Sequence, residues 1–222
     1  MKKTLCALLA AVLALGLLGC AAPAGDPAPA SEAAAVAFAD PVLERMMRAS
    51  LGKPEGDITA AEAEAVTRLN LSLEWQRYVS GETSIQDIGG LEYFKNLESL
   101  DLSFHEVADI APLAGLTRLT SLSLNGNPVS DIAPLAKLTD LKILTLSNCA
   151  AQDYGPLAAL VNLELLMLDH STIADVSPLA ALTNLKYLYL AESPVADYSP
   201  LSNVYSSLEE KDFIMASTLA AL

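Results

Sequence analysis

From Leu97 onward, leucines return at a fixed spacing. Leu97, Leu100 and Leu102 recur as Leu119, Leu122 and Leu124, as Leu141, Leu144 and Leu146, as Leu163, Leu166 and Leu168, and as Leu185, Leu188 and Leu190, a period of 22 residues. The other half of each unit keeps the same step. Asp109, Asp131, Asp153, Asp175 and Asp197 are each followed by Pro112, Pro134, Pro156, Pro178 and Pro200, and every such Pro by Leu. Five units in one register are not a chance pattern. The Leu-x-Leu alternation predicts a short strand with its leucines on one face and the intervening residues on the other. Parallel stacking at about 4.8 Å then turns six or so units into a curved rod roughly 25 to 30 Å long. Val107, Ile110, Leu113 and Leu116, with their equivalents, fill the opposite side of the core. Each Asp can accept a backbone N–H two residues on, and each Pro fixes the backbone entering a short 3-10 turn on the convex side.

The pattern loosens at both ends. A first, irregular unit is represented by Leu69, Leu71, Ile85, Asp87, Ile88, Leu91 and Phe94, and between Leu71 and Ile85 it has nine residues more than later units. That insertion, with Trp75, Arg77 and Tyr78, is expected to bulge. Upstream, Asp40 is a good N-cap before Pro41, and Val42, Leu43, Met46, Met47 and Leu51 share one helical face that Gly52 and Pro54 end. A second helix is predicted from a Thr59–Glu62 capping box through Ala63 and Val66 into Leu69. Downstream, Leu208 arrives one residue late. Leu208, Met215, Leu219 and Leu222 suggest a short amphipathic helix, whereas Leu208 and Phe213 would suit a last partial coil, and both readings stay open.

These motifs resemble the leucine-rich repeat, and the Asp-Ile-x-Pro-Leu half with its 22-residue length is similar to the internalin-type subclass of bacterial surface proteins. The resemblance spans Asp40 to Val204. It implies an α/β solenoid, a leucine-rich-repeat horseshoe with short parallel concave strands, convex 3-10 turns and a helical N-terminal cap. It also implies an Asn three residues after the last strand leucine, bonded to neighbouring backbone. Here that column reads His105, Asn127, Cys149, Ser171 and Ser193, so a regular Asn ladder is not expected, and Cys149 is read as a buried substitute without a redox role.

The N-terminus reads as an address. Lys2 and Lys3 precede an apolar run from Leu5 to Leu18, too short to span a bilayer comfortably but suited to a signal peptide. Leu17, Leu18, Gly19 and Cys20 resemble the lipobox of bacterial lipoproteins. The resemblance implies cleavage before Cys20, acylation of its thiol and lipid anchoring (palmitate or a similar chain) on the extracytoplasmic face of the cell membrane. The expected organisation is a signal peptide over 1–19, an Ala/Pro-rich tether over 20–37, a helical cap over 38–67, repeats over 68–204 and a cap or partial repeat over 205–222. Of the three cysteines, Cys6 would leave with the signal and Cys20 would be lipidated, which leaves Cys149 without a disulfide partner. At 222 residues and 52% hydrophobic, the chain can bury one sizeable core. Its net charge of −14 disfavours nucleic acid and anionic lipid headgroups as partners.

Candidate chemistry is sparse. His105 and His170 occupy different positions of their coils, so neither a two-histidine metal site nor a catalytic pair is expected. One Asp per coil is explained by turn capping, without calcium. No Ser-His-Asp set, phosphate loop or cysteine pair is seen, so the reading is a binding protein without cofactor, metal or catalytic residues. The outward strand positions change along the stack. Ser99, Ser121, Asp101 and Ser123 begin it, whereas Ile143, Leu165, Met167, Tyr187 and Tyr189 form a contiguous apolar and aromatic patch, the expected site for a protein partner. Trp75 and Tyr78 are a secondary binding candidate. An envelope assembly role, or a carbohydrate-binding surface using Trp75, Tyr187 and Tyr189 as stacking platforms, is the alternative.

Overall fold

Seven short parallel strands form one sheet in chain order, in a computed structural model that describes residues 35–73 and 83–213. They are β1 (Arg68–Asn70), β2 (Ser99–Asp101), β3 (Ser121–Ser123), β4 (Ile143–Thr145), β5 (Leu165–Met167), β6 (Tyr187–Tyr189) and β7 (Glu210–Lys211). The predicted phase is the observed one. Leu69, Leu100, Leu122, Leu144, Leu166 and Leu188 pair in a single row across the sheet and are buried. Beyond each strand the ladder continues, with Leu102, Leu124, Leu146 and Leu168 each donating its N–H at 2.9 Å to a carbonyl of the next coil. Among the described residues only short 3-10 turns separate the consecutive strands from β2 to β6, so each of these coils packs on its neighbours.

The return half of each coil is a 3-10 turn built by Asp and Pro. The carboxylates of Asp87, Asp109, Asp131, Asp153, Asp175 and Asp197 accept the backbone N–H two residues on, at 2.7 to 2.8 Å. From Pro112 onward a proline then sits in the first turn of each 3-10 segment. Each segment buries one leucine, Leu113, Leu135, Leu157, Leu179 or Leu201, against the strand leucines.

The N-terminal cap is tied to the first coil through one carboxylate. Helix α1 (Pro41–Leu51) starts at Asp40 and stops at Gly52, whose φ of 62° is left-handed. One oxygen of Asp40 accepts from Val42 and Leu43, and the other from Gln86 and Asp87. Burial alone would raise this carboxyl, but the four N–H donors outweigh it and hold it below its ordinary value. Helix α2 (Ala60–Glu64) carries the Thr59–Glu62 capping box. It ends sooner than its apolar spacing predicts, because Leu69 is claimed by β1. The packed chain reaches further upstream than the tether expected over 20–37. Val36 is buried, its N–H bonds Ile58, and Phe38 meets the ring of Phe94. Gly90, at φ 105°, lets that segment pass, since a Cβ there would lie 2.7 Å from the Phe38 ring.

At the other end, the partial coil is the observed alternative for Leu208 and Phe213. After Pro200 a short helix α3 (Ser202–Tyr205) adds the residue that delays Leu208. Strand β7 still pairs with β6, Tyr187 opposite Glu210. Phe213 stacks on Tyr198 with centroids 4.6 Å apart, closing the core. Met215, Leu219 and Leu222 lie outside the described residues, as do Cys20, Trp75 and Tyr78.

Candidate functional site: the outward face of the sheet

Alternation along each strand leaves the residues between the leucines on the outward face. Ser99, Ser121, Ile143, Leu165 and Tyr187 stand in one row, and Asp101, Ser123, Thr145, Met167 and Tyr189 in the next. Ile143 is 40% exposed, and Leu165, Met167, Tyr187 and Tyr189 are half-buried by one another. All five predicted patch residues therefore meet on three adjacent strands. Half-burial makes Leu165 less exposed than alternation suggests, because its neighbours on both sides are large.

Both tyrosines are held by the last coil. The Tyr187 hydroxyl donates to Glu209 at 2.9 Å and the Tyr189 hydroxyl to Glu210 at 2.6 Å. These bonds favour the protonated phenols and raise their pKa values, that of Tyr189 to about 12. Next along the face, Asp212 accepts the N–H groups of Leu190 and Ala191. Asp169 accepts from the Ser147 hydroxyl at 3.2 Å. Burial, then the adjacent Asp212, pushes the Asp169 carboxyl up. A 22-residue step from Tyr187 reaches Glu209, but the same step from Tyr189 lands on Lys211 and misses the rest of the acidic surround. A 23-residue step from Tyr187 and Tyr189 would have found Glu210 and Asp212.

Four of the five residues in the column after the strands keep one chemistry while changing identity, and the fifth, Ser171, meets the Ser193 hydroxyl at 3.1 Å. Asn127 donates to the carbonyl of Leu102 and accepts from Val107. His105 does both: one ring nitrogen accepts from Ile85 at 3.2 Å and the other lies 2.6 Å from the Leu71 carbonyl. Cys149 points its thiol at Leu124 O, and Ser193 its hydroxyl at Leu168 O. Burial pushes the Cys149 thiol up to about 11, the behaviour of a core group and not a nucleophile. His170 sits elsewhere, exposed at φ 53°. Among the described residues no three His, Cys, Asp or Glu side chains converge as metal ligands. A concavity of about 510 Å³ lies against α1. Its two arginines are already engaged, Arg48 with Glu44 and Gly56 and Arg45 with Thr83.

Strand order, coil length and the Asp-Pro turns define a leucine-rich-repeat solenoid, a class of typically non-enzymatic interaction modules that bind protein partners. A family model for leucine-rich repeats in two copies matches residues 117–159. The structure is similar to an internalin from Listeria monocytogenes, at 35% identity over 77% of this chain and 48% of that one, with a TM-score of 0.70. It is also similar to Listeria monocytogenes internalin C2, at 27% identity over 80% and 94% of the two chains with a TM-score of 0.45. A leucine-rich-repeat protein of Leptospira interrogans aligns at 20% identity over 68% and 44%, with a TM-score of 0.52. The chain thus spans about half the length of the first of these. No curated protein matches it.

Proposed function

We propose that this chain is a recognition module that binds a protein partner through the outward face of β4 to β6, and that a lipid on Cys20 holds it at the extracytoplasmic face of the cell membrane. The observation that carries the binding reading is the contiguity of Ile143, Leu165, Met167, Tyr187 and Tyr189. Large side chains meet on a face whose other coils present Ser99, Ser121 and Ser123, and such patches mark interaction sites. The tyrosine rings are fixed in advance by Glu209 and Glu210, so little rotamer entropy remains to be lost on binding. Two fixed rings also favour a second reading, a platform for stacking sugars, which glycan-array binding lost on Tyr→Ala change would support.

Tyr187→Ala or Tyr189→Ala should weaken binding to a partner isolated by pull-down with the chain by roughly 2 kcal/mol, about thirtyfold. Ser99→Ala and Ser121→Ala should change it little, and the melting temperature should move little in all four. Normal binding by both tyrosine variants, with loss on changing Trp75 or Tyr78, would move the site to the insertion. Anchoring has its own test: Cys20→Ala should abolish incorporation of labelled fatty acid, and a variant that still takes up label would refute the lipoprotein reading.

A further inference from the structure

The patch has a chemical bias at its C-terminal end. Met167 and Tyr189 pair across β5 and β6, and two residues beyond them on the same strand-face alternation come Asp169 and Ala191. Asp212 lies against Asp169, while Glu210 holds the Tyr189 hydroxyl. Carboxylates therefore crowd the apolar surface. The cations nearest in sequence are committed elsewhere: Lys186 to Glu164 at 2.6 Å, and Lys211 over the Tyr205 ring at 4.5 Å from its centroid. The other ion pairs among the described residues join Glu44 to Arg48, Lys53 to Glu62, and Lys142 to Glu164.

A second observation lies one strand away. Thr145, on the outward row that continues through Met167 and Tyr189, is 7% exposed, and its hydroxyl has no hydrogen-bond partner among the described residues. The same face thus carries two neighbouring carboxylates that accept only neutral donors, Asp212 from Leu190 and Ala191 and Asp169 from Ser147, with no cation paired to either among the described residues.

Resting on the reading of this face as a protein-binding surface, we propose that its C-terminal end takes a basic segment of the partner. A Lys or Arg head group sits at Asp169 and Asp212, its stem lies over Met167 and Tyr189, and an apolar neighbour covers Leu165. A cation here relieves the repulsion between the two acids, and aromatic faces add to its attraction. An acidic or neutral segment would leave the carboxylates facing each other under the partner, less solvated than before.

The test uses the full chain and dye-labelled hexapeptides of alternating Leu and Arg, Leu and Ser, and Leu and Glu, titrated by fluorescence anisotropy. The Leu/Arg peptide should bind at least tenfold more tightly than the other two. Asp169→Asn keeps an acceptor for Ser147 and should fold normally by its melting curve, yet weaken the Leu/Arg peptide about tenfold. Tyr189→Ala should weaken it similarly. Glu55→Gln, an exposed acid on the N-terminal cap, should leave binding within twofold. Equal binding of Leu/Arg and Leu/Ser, both lost in Tyr189→Ala, would overturn the basic partner and leave the patch standing. Equal losses from Asp169→Asn and Glu55→Gln would mean diffuse attraction to an acidic protein and overturn the proposal. So would absence of binding by all three peptides, in which case the tyrosine variants still decide the patch with the isolated partner.

Discussion

His105 shows how far one residue can stand in for another when the backbone dictates two bonds. Its ring accepts from Ile85 and reaches the Leu71 carbonyl, the two tasks Asn127 performs one coil later. Imidazole manages both only when neutral, because the nitrogen facing Ile85 must offer a lone pair. Burial lowers its pKa, opposed by the Leu71 carbonyl and by the charges of Asp101 and Asp40. With the folded value depressed, the unfolded chain takes up the proton first as pH falls. This contribution to stability is fully present above about pH 6.5 and is lost as pH drops through the folded value. Asp40 titrates low for the opposite charge type, so its own loss of stability comes only in more acidic solution, below about pH 4. His105→Asn should therefore fold normally at pH 7.5 and melt progressively above the parent as pH is lowered to 5.5. Parallel melting temperatures for the two proteins across that range would contradict the neutral-imidazole account. Sequence alone placed His105 in the right column, but whether its ring could reach both backbone groups depended on distances that spacing does not contain.

The coil is the element that repeats, and its two faces should respond differently to the same cut. Leu166 is fully buried and Leu165, its neighbour in the chain, is half-buried on the outward face. Leu166→Ala should cost about 2 to 5 kcal/mol, through lost burial and a cavity between stacked coils, whereas Leu165→Ala should cost under about 1 kcal/mol. Urea unfolding of the two variants makes the comparison, and equal losses would refute the strand phase. Strand phase, Asp turns and Pro-led 3-10 segments were all legible because each repeats five times at one spacing. The last coil was less so. Helix α3 inserts one residue, so that Glu210 and Asp212 fall one step beyond the period and the carboxylate that holds Tyr189 is hidden. Thr145 was hidden for another reason. Alternation assigns it outward, and only the bulk around it makes it buried.

At the scale of the whole stack, stability is a sum over neighbours. Interior coils have two, while among the described residues the last is represented by a two-residue strand with β6 as its neighbour. Native-state hydrogen exchange should be slowest at the amides of Leu124 and Leu146 and at least tenfold faster at Leu190 and Ala191, whose N–H groups bond the side chain of Asp212. Uniform protection from β2 to β6 and beyond would show that the stack opens as one unit. The seam formed by His105, Asn127, Cys149 and Ser193 bears on how such a chain can change length. Each of these residues reaches a leucine carbonyl in the coil before it, and among the five coils of this column Ser171 alone turns instead to Ser193. A duplication or excision of one 22-residue unit would therefore rejoin a donor to an acceptor it already fits. The reach of the binding face can be lengthened or shortened in single steps without a new core being invented.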